Sequence, residues 1–564
     1  MKDRILIKSG LIVDGTGAEP FYGDILIERG KIKEVSRKIN EVSIKSVDKL
    51  TDEVCIQQIK ASSQIEEVGS ELLNQGISAY VIDATGKTIT PGFTDIHRHC
   101  DYAALRSDFG AIELAQGITS AVSGSCGLTP FPLRDSMKAQ LSNLLTPCLG
   151  ACVHDELFHN YSDYANHLQQ HELPINIGNM IGSCSVRIAV KGFAQTNYTR
   201  QEMDEAKSIV SDAMDAGALG VSMGIMYYPE YYSTKEELVD IASVVAKKNG
   251  ILSCHIRGEG DGLVSSVEEI IEIAKRAEVS LQISHFKSCG KHNWNKGIYE
   301  AMERIERERD KGMDIHVDFY PYTGGATTLL SLIPPAFLRN TLQETWEYMK
   351  SDAAVKELEE KLNATYDDWD NYILTLGYDR IIITSVSLDK YKRFVGKTLA
   401  NIIEEGNDPY RFLCDIMAEE QGMVGIIVMS MSGKDVDAVA KLPYSFVISD
   451  SLYIEQGNPH PRLYASFPKI LRDYVLERKV LSLPEAVKKM TSMPADKLRL
   501  KNRGKIEKDY AADLAIFDLN NVKDNADFVN SNRLSTGMDY VLVGGQIAWR
   551  DETLVKKNGV YLRR

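Results

Sequence analysis

Phe93-Thr-Asp-Ile-His97-Arg-His99-Cys100 is a short apolar run that closes on two histidines two residues apart. On a β-strand alternate side chains share a face, so His97 and His99 project together if this run is extended. Two imidazoles on one side of a strand end form a metal-ligand arrangement, although alone the pair reads equally well as ordinary polar residues. Outward from it the pattern repeats. Apolar runs recur at Ile118–Cys126, Ile175–Ile181, Leu219–Met223, Ile251–Ile256, Leu281–His285, Ile315–Phe319, Val424–Met429 and Phe446–Asp450. Amphipathic stretches such as EMDEAKSIVSDAMDAG (202–217) and VEEIIEIAKRAEV (267–279) separate many of them. Repeated strand–helix units predict a parallel sheet, and this many predict a (β/α)8 barrel with its site at the strand C-terminal ends. The runs outnumber the eight barrel positions by one. The spare is either Ile315–Phe319 or Val424–Met429.

The flanks read differently. Residues 4–35 and the segments ADLAIFDL and YVLVGGQIAWR alternate β-branched residues with Gly and Asp turns. They are expected to form one small β-sandwich from both ends of the chain. The expected divisions are 1–90, with a charged, helical insertion at 38–80, then a barrel over 91–495 with a helical insert at about 335–378, then 496–564. The 564 residues are 44% hydrophobic and 26% charged, which excludes wholesale disorder. A formal charge of −14 argues against gripping a phosphate backbone, and no window reaches the ~18 apolar residues of a membrane helix. Nine cysteines without a CxxC pair, behind an N-terminus with no signal-like segment, predict a reduced, cytoplasmic protein.

Chemistry-bearing residues fall at the ends of these runs. His255 and His285 close neighbouring strands, so four of the eleven histidines stand at such ends. Cys126 closes another, between Gly124 and Gly127, where other groups can approach closely. A thiolate with two imidazoles is a good Zn²⁺ set that leaves one position open. Asp450 follows a buried-looking strand; it is either a helix cap or a general base. Tyr227, Tyr322, Arg462 and Lys287 follow strand ends and could hold a carboxylate ligand, or simply pack loops.

These segments together resemble the N-acyl-D-amino-acid deacylases (D-aminoacylases) of the amidohydrolase superfamily. The resemblance runs from SGLIVDGTGAEPFYGDILIERGKI through PGFTDIHRH, GITSAVSGSCG, SCHIRGEG, QISHFK, YPYTGGATTL and GNPHPRLYASFPKIL to RGKIEKDYAADLAIFDL. It implies a (β/α)8 barrel with a small β-sandwich. It also implies a tight zinc on Cys126, His255 and His285, with a weaker second metal position lined by His97, His99 and Asp450. Asp450 would move a proton from the attacking water to the leaving amine, and Lys287, Tyr227, Tyr322 and Arg462 would hold substrate. The implied activity is hydrolysis of N-acyl-D-amino acids, the handedness resting on the resemblance alone. A cyclic-amide hydrolase of hydantoinase or dihydroorotase type is the alternative. A non-catalytic barrel is disfavoured because all six ligand positions are filled. Two features depart from the family: the 38–80 insertion, and MIGSCSVRIAVKG around Arg187 in place of a Gly-His-Gly run. Lys191 there parallels the carboxylated lysine of hydantoinases, but Cys126 already offers the bridging anion. The expected partner is a small N-acyl amino acid, with no nucleic acid and no membrane; self-association is left open.

Overall fold

Eight parallel strands surround the centre of the computed structural model, which describes residues 4–39, 79–151, 158–454 and 457–564. They are β1 Phe93–Asp95, β2 Ile118–Ser123, β3 Asn176–Asn179, β4 Gly220–Gly224, β5 Ile251–His255, β6 Ser280–Ile283, β7 Ile315–Phe319 and β8 Ser445–Val447. Each pairs in parallel with the next, β3 reaching β4 through its continuation Ile181–Gly182. The ring closes where Ser451–Leu452, beyond β8, pairs with Arg98–His99, beyond β1. Every residue of β2, β4 and β5 is buried. Strands covered on both faces read as continuous apolar runs, which is why the sequence shows them so plainly. The intervening helices are cut to length by their caps: Thr199 with Glu202, and Thr234 with Glu237, form reciprocal capping boxes before Arg200–Asp215 and Lys235–Lys247.

The spare run is Val424–Met429. Its core, Gly425–Val428, lies antiparallel between Gly325–Thr328 and Ile381–Ser385 in a separate three-stranded sheet. Burial on both faces gives it the same signature as a barrel strand, so periodicity could not separate them. The expected helical insert contains Leu342–Met349, Asp352–Leu362 and Tyr372–Leu376. The helices expected at 38–80 fall outside the described residues. Among the described residues no helix is long and apolar enough to cross a membrane.

Strands from both chain ends share a nine-stranded sheet, joined where Thr88–Pro91 runs antiparallel to Leu514–Phe517. The sheet curls so that the turn at Gly30 meets the turn at Gly544; a Cβ on Gly30 would lie 2.9 Å from the Gly544 carbonyl oxygen. Its inner face carries a separate apolar cluster that includes Ile7, Ile27, Ile89, Leu514 and Leu542.

A buried ion network fastens the first barrel strand to the last. Arg98, fully buried between the two histidines, turns to the opposite side. Its Nη1 donates to Asp95 Oδ2 at 3.0 Å and Ser449 Oγ at 3.2 Å, and its Nη2 to Glu113 Oε1 at 2.7 Å. Asp95 also accepts from the Ser449 amide and hydroxyl. Removing one member of a buried ion pair strands the others in a low-dielectric interior. Arg98→Met is therefore expected to lower the unfolding free energy by about 3–5 kcal/mol, read as a shift in the urea midpoint. A loss under about 1 kcal/mol would show that Asp95 and Glu113 do not depend on it.

Candidate metal centre

The barrel brings six side chains to one end. His97 and His99 follow β1, Cys126 follows β2, His255 ends β5, His285 follows β6 and Asp450 follows β8; none is more than 5% exposed. Cys126 Sγ lies 3.3 Å from His97 Nε2 and 3.5 Å from His285 Nε2. Asp450 Oδ1 lies 3.3 Å from both His97 Nε2 and His99 Nε2. Donor atoms of Cys126, His255 and His285 lie within 4.8 Å of one another, as do those of His97, His99 and Cys126, and of His97, His285 and Asp450.

Three of these residues adopt the left-handed backbone region: Cys126 at φ 54°, His285 at 34° and Asp450 at 49°. Such a conformation costs on the order of 1–3 kcal/mol for a residue with a side chain and persists only where surrounding contacts dictate it. Here they do. The Asp318 carboxylate accepts the His285 amide, the His97 carbonyl accepts the Asp450 amide at 2.9 Å, and Ser222 Oγ accepts the Gly127 amide at 3.0 Å beside Cys126.

Burial alone would keep the Cys126 thiol protonated. The His97 charge and hydrogen bonds from His255, His285 and His97 outweigh it and hold the thiol well below its ordinary range. Burial also opposes charge on Asp450, but Arg462 and His97 keep it ionised far below the usual carboxylate range. His255 is pushed down, first by burial. Burial and Lys287 oppose charge on His285, yet Glu259 and Cys126 raise it to about 9. A thiolate among imidazoles is a zinc-type donor set. His99 Nδ1 and His255 Nδ1 are buried without a protein partner. Buried imidazoles with an unpartnered nitrogen, gathered about a thiolate, fit an ion better than they fit an apolar core.

Two carboxylates that the sequence reading did not single out orient the ligands. Asp318 Oδ2 lies 3.3 Å from His97 Nδ1, and Glu259 Oε1 lies 2.9 Å from His285 Nδ1. A metal-ligating histidine commonly presents its second nitrogen to such a partner. Signals existed for both: an aspartate inside the apolar strand IHVDF, and a glutamate between glycines in RGEGDG, shortly after His255.

A cavity of about 570 Å³, counting space open to solvent, is lined by His99, Cys126, His255, His285 and Asp450 together with Lys287, Tyr227 and Arg462. Tyr322 does not line it; Tyr320 does. The Tyr322 amide donates to the Tyr320 carbonyl at 2.9 Å, closing a three-residue turn between them. Tyr322 instead packs edge-on against His460, centroids 5.1 Å apart. Arg462 Nη1 pairs with Asp450 Oδ2 at 2.8 Å, and Arg462 Nε is buried without a protein partner. Lys191 is remote from the centre: it donates to the Asn197 carbonyl at 2.6 Å and pairs with Glu202.

A model of the amidohydrolase family matches residues 80–394 and 423–548. The chain is 28% identical over 472 residues to a D-aminoacylase of Alcaligenes xylosoxydans xylosoxydans, covering 84% of this chain and 86% of the relative. It is likewise 28% identical over 487 residues to that organism's N-acyl-D-glutamate deacylase, covering 86% and 88%. A crystal structure of the N-acyl-D-glutamate deacylase of Bordetella bronchiseptica, complexed with zinc and a phosphonate mimic of the tetrahedral intermediate, aligns over the whole of both chains. The TM-score is 0.78 at 25% identity.

Cys126→Ser replaces the thiolate with a hydroxyl that stays protonated at neutral pH. After zinc loading and desalting, metal analysis should find the variant at least tenfold below the parent in zinc per chain. Equal zinc in the two would remove Cys126 from the ligand set.

Proposed function

The chain belongs to the amidohydrolase family, and from that premise we propose that it hydrolyses the amide bond of N-acyl-D-amino acids, releasing a carboxylic acid and a D-amino acid. The convergence of Cys126, His255 and His285 beside Asp450 and Arg462 carries this reading. Cys126, His255 and His285 would hold one zinc tightly, with His97, His99 and Asp450 offering a weaker second position. Bound zinc supplies Lewis acidity, which acidifies water and polarises a carbonyl. Among the chain's own groups, Arg462, which lines the cavity, offers its guanidinium to the substrate α-carboxylate. Lys287 and Tyr320 lie on the same wall. Tyr227, whose phenol burial keeps protonated, is a donor available to the developing oxyanion. Asp450, ionised and in contact with His97 and His99, takes the proton of the attacking water and returns it to the leaving nitrogen. The seven described cysteines are free and buried, which fits the reducing cytoplasm.

A second cavity adjoins the first, sharing Leu128, Cys148, Met226 and Tyr227. Leu144, Leu330, Ile333, Leu338 and Trp369 complete much of its wall, and among the described residues no charged side chain lines it. It suits an apolar side chain or acyl group and, among the described residues, offers no cationic partner for a second carboxylate. The cyclic-amide alternative is less supported: Lys191 lies away from the ligand cluster, bonded to Asn197 and Glu202, and Cys126 is the anion offered there instead.

Zinc-loaded enzyme should hydrolyse N-acetyl-D-leucine, D-methionine or D-phenylalanine at least tenfold better, in kcat/KM, than the L-forms or N-acetyl-D-glutamate and D-aspartate. Faster turnover of hydantoins would overturn the reading. Asp450→Asn should retain the tight zinc and lose about 10²–10⁴ in kcat; an unchanged kcat would deny Asp450 its proton-transfer role.

A further inference from the structure

Asp370, in the helical insert, is a nearly buried carboxylate with no cationic partner among the described residues. Three backbone amides take that place. Asp370 Oδ2 accepts from Glu259 at 2.6 Å and Gly260 at 2.7 Å, and Oδ1 accepts from Gly262 at 3.2 Å. Successive amides turned toward one point form an anion-holding concavity. A side chain would crowd it: a Cβ on Gly260 would lie 2.9 Å from Asp370 Oδ1, and one on Gly258 would lie 3.2 Å from Oδ2. The residue bracketed by this loop is Glu259, whose carboxylate meets His285 Nδ1 and the Lys287 ammonium. On its other side, Asp370 stands between Trp369, a wall of the apolar cavity, and Tyr372, a wall of the metal cavity.

We propose that Asp370 is a positioning residue: by seating in the Gly258–Gly262 loop it fixes Glu259, and through Glu259 it fixes His285 and Lys287, so that the insert's cavity wall and the metal ligands form one mechanical unit. Breaking the seat frees Glu259 to rotate away from His285 Nδ1. The ligand then loses the partner that sets its tautomer and ring plane. The role in turnover rests on the proposed hydrolysis; the role in metal binding does not.

The test is a double-mutant cycle on the full chain, using Asp370→Asn, Glu259→Gln and the double variant. Gly260→Ala disturbs the same seat from the opposite side, so it carries the test if Asp370→Asn does not fold. Zinc affinity is measured by chelator competition, and kcat on the preferred N-acetyl-D-amino acid. Asp370→Asn and Gly260→Ala should each weaken zinc affinity or lower kcat about ten- to a hundredfold. The double variant should fall no more than about threefold below Glu259→Gln alone. A merely structural aspartate would lower the melting temperature and leave zinc affinity unchanged. Values within twofold of the parent in both seat variants, or losses that multiply in the double variant, would overturn the proposal. If the parent hydrolyses no N-acyl-D-amino acid, the functional reading fails, and zinc affinity alone still decides the role of Asp370.

Discussion

One thiol, four imidazoles and a carboxylate are packed at van der Waals range in a space that water hardly reaches. Without a cation this arrangement is expensive, because buried polar atoms lacking partners and buried like-charged groups both oppose folding. Much of the surrounding structure makes sense as what holds it in place. Cys126, His285 and Asp450 take left-handed backbone conformations, and at His285 and Asp450 the amide is locked by Asp318 or by the His97 carbonyl. Asp318 and Glu259 turn two of the imidazoles. Between the two histidines, Arg98 ties the barrel shut through Asp95, Glu113 and Ser449. Thus His97, Arg98 and His99, three consecutive residues, serve the site, the seam and the site again.

The barrel supplies the ligands, and the segment between β7 and β8 shapes what reaches them. That segment contributes Tyr320, Thr327 and Tyr372 to the metal cavity, and Leu330, Ile333, Leu338 and Trp369 to the apolar one. Barrel enzymes vary specificity through such excursions while keeping the strand ends constant. The apolar cavity, uncharged among the described residues, thus takes its lining from both this segment and the barrel loops that carry Leu128, Met226 and Tyr227.

Much of this was legible in the sequence because the governing patterns are local. The two-residue spacing of His97 and His99, the glycines flanking Cys126 and the histidines closing SCHIR and QISHFK each mark a strand end on their own. Where the decision is tertiary, the sequence was silent or misleading. Val424–Met429 is as apolar as a barrel strand and pairs elsewhere. Tyr322 and Tyr320 are equivalent as letters, and a turn at Pro321 sends only Tyr320 to the cavity. Asp370 is separated from Glu259 by more than a hundred residues, and nothing in DDWDNY announces that it caps a glycine loop.

The central claim is that Cys126 shares one ion with His255 and His285. X-ray absorption at the zinc edge of the singly loaded protein tests it most directly. The account predicts one sulfur scatterer at about 2.3 Å together with nitrogen or oxygen scatterers at about 2.0–2.1 Å. A spectrum with only nitrogen and oxygen neighbours would contradict it.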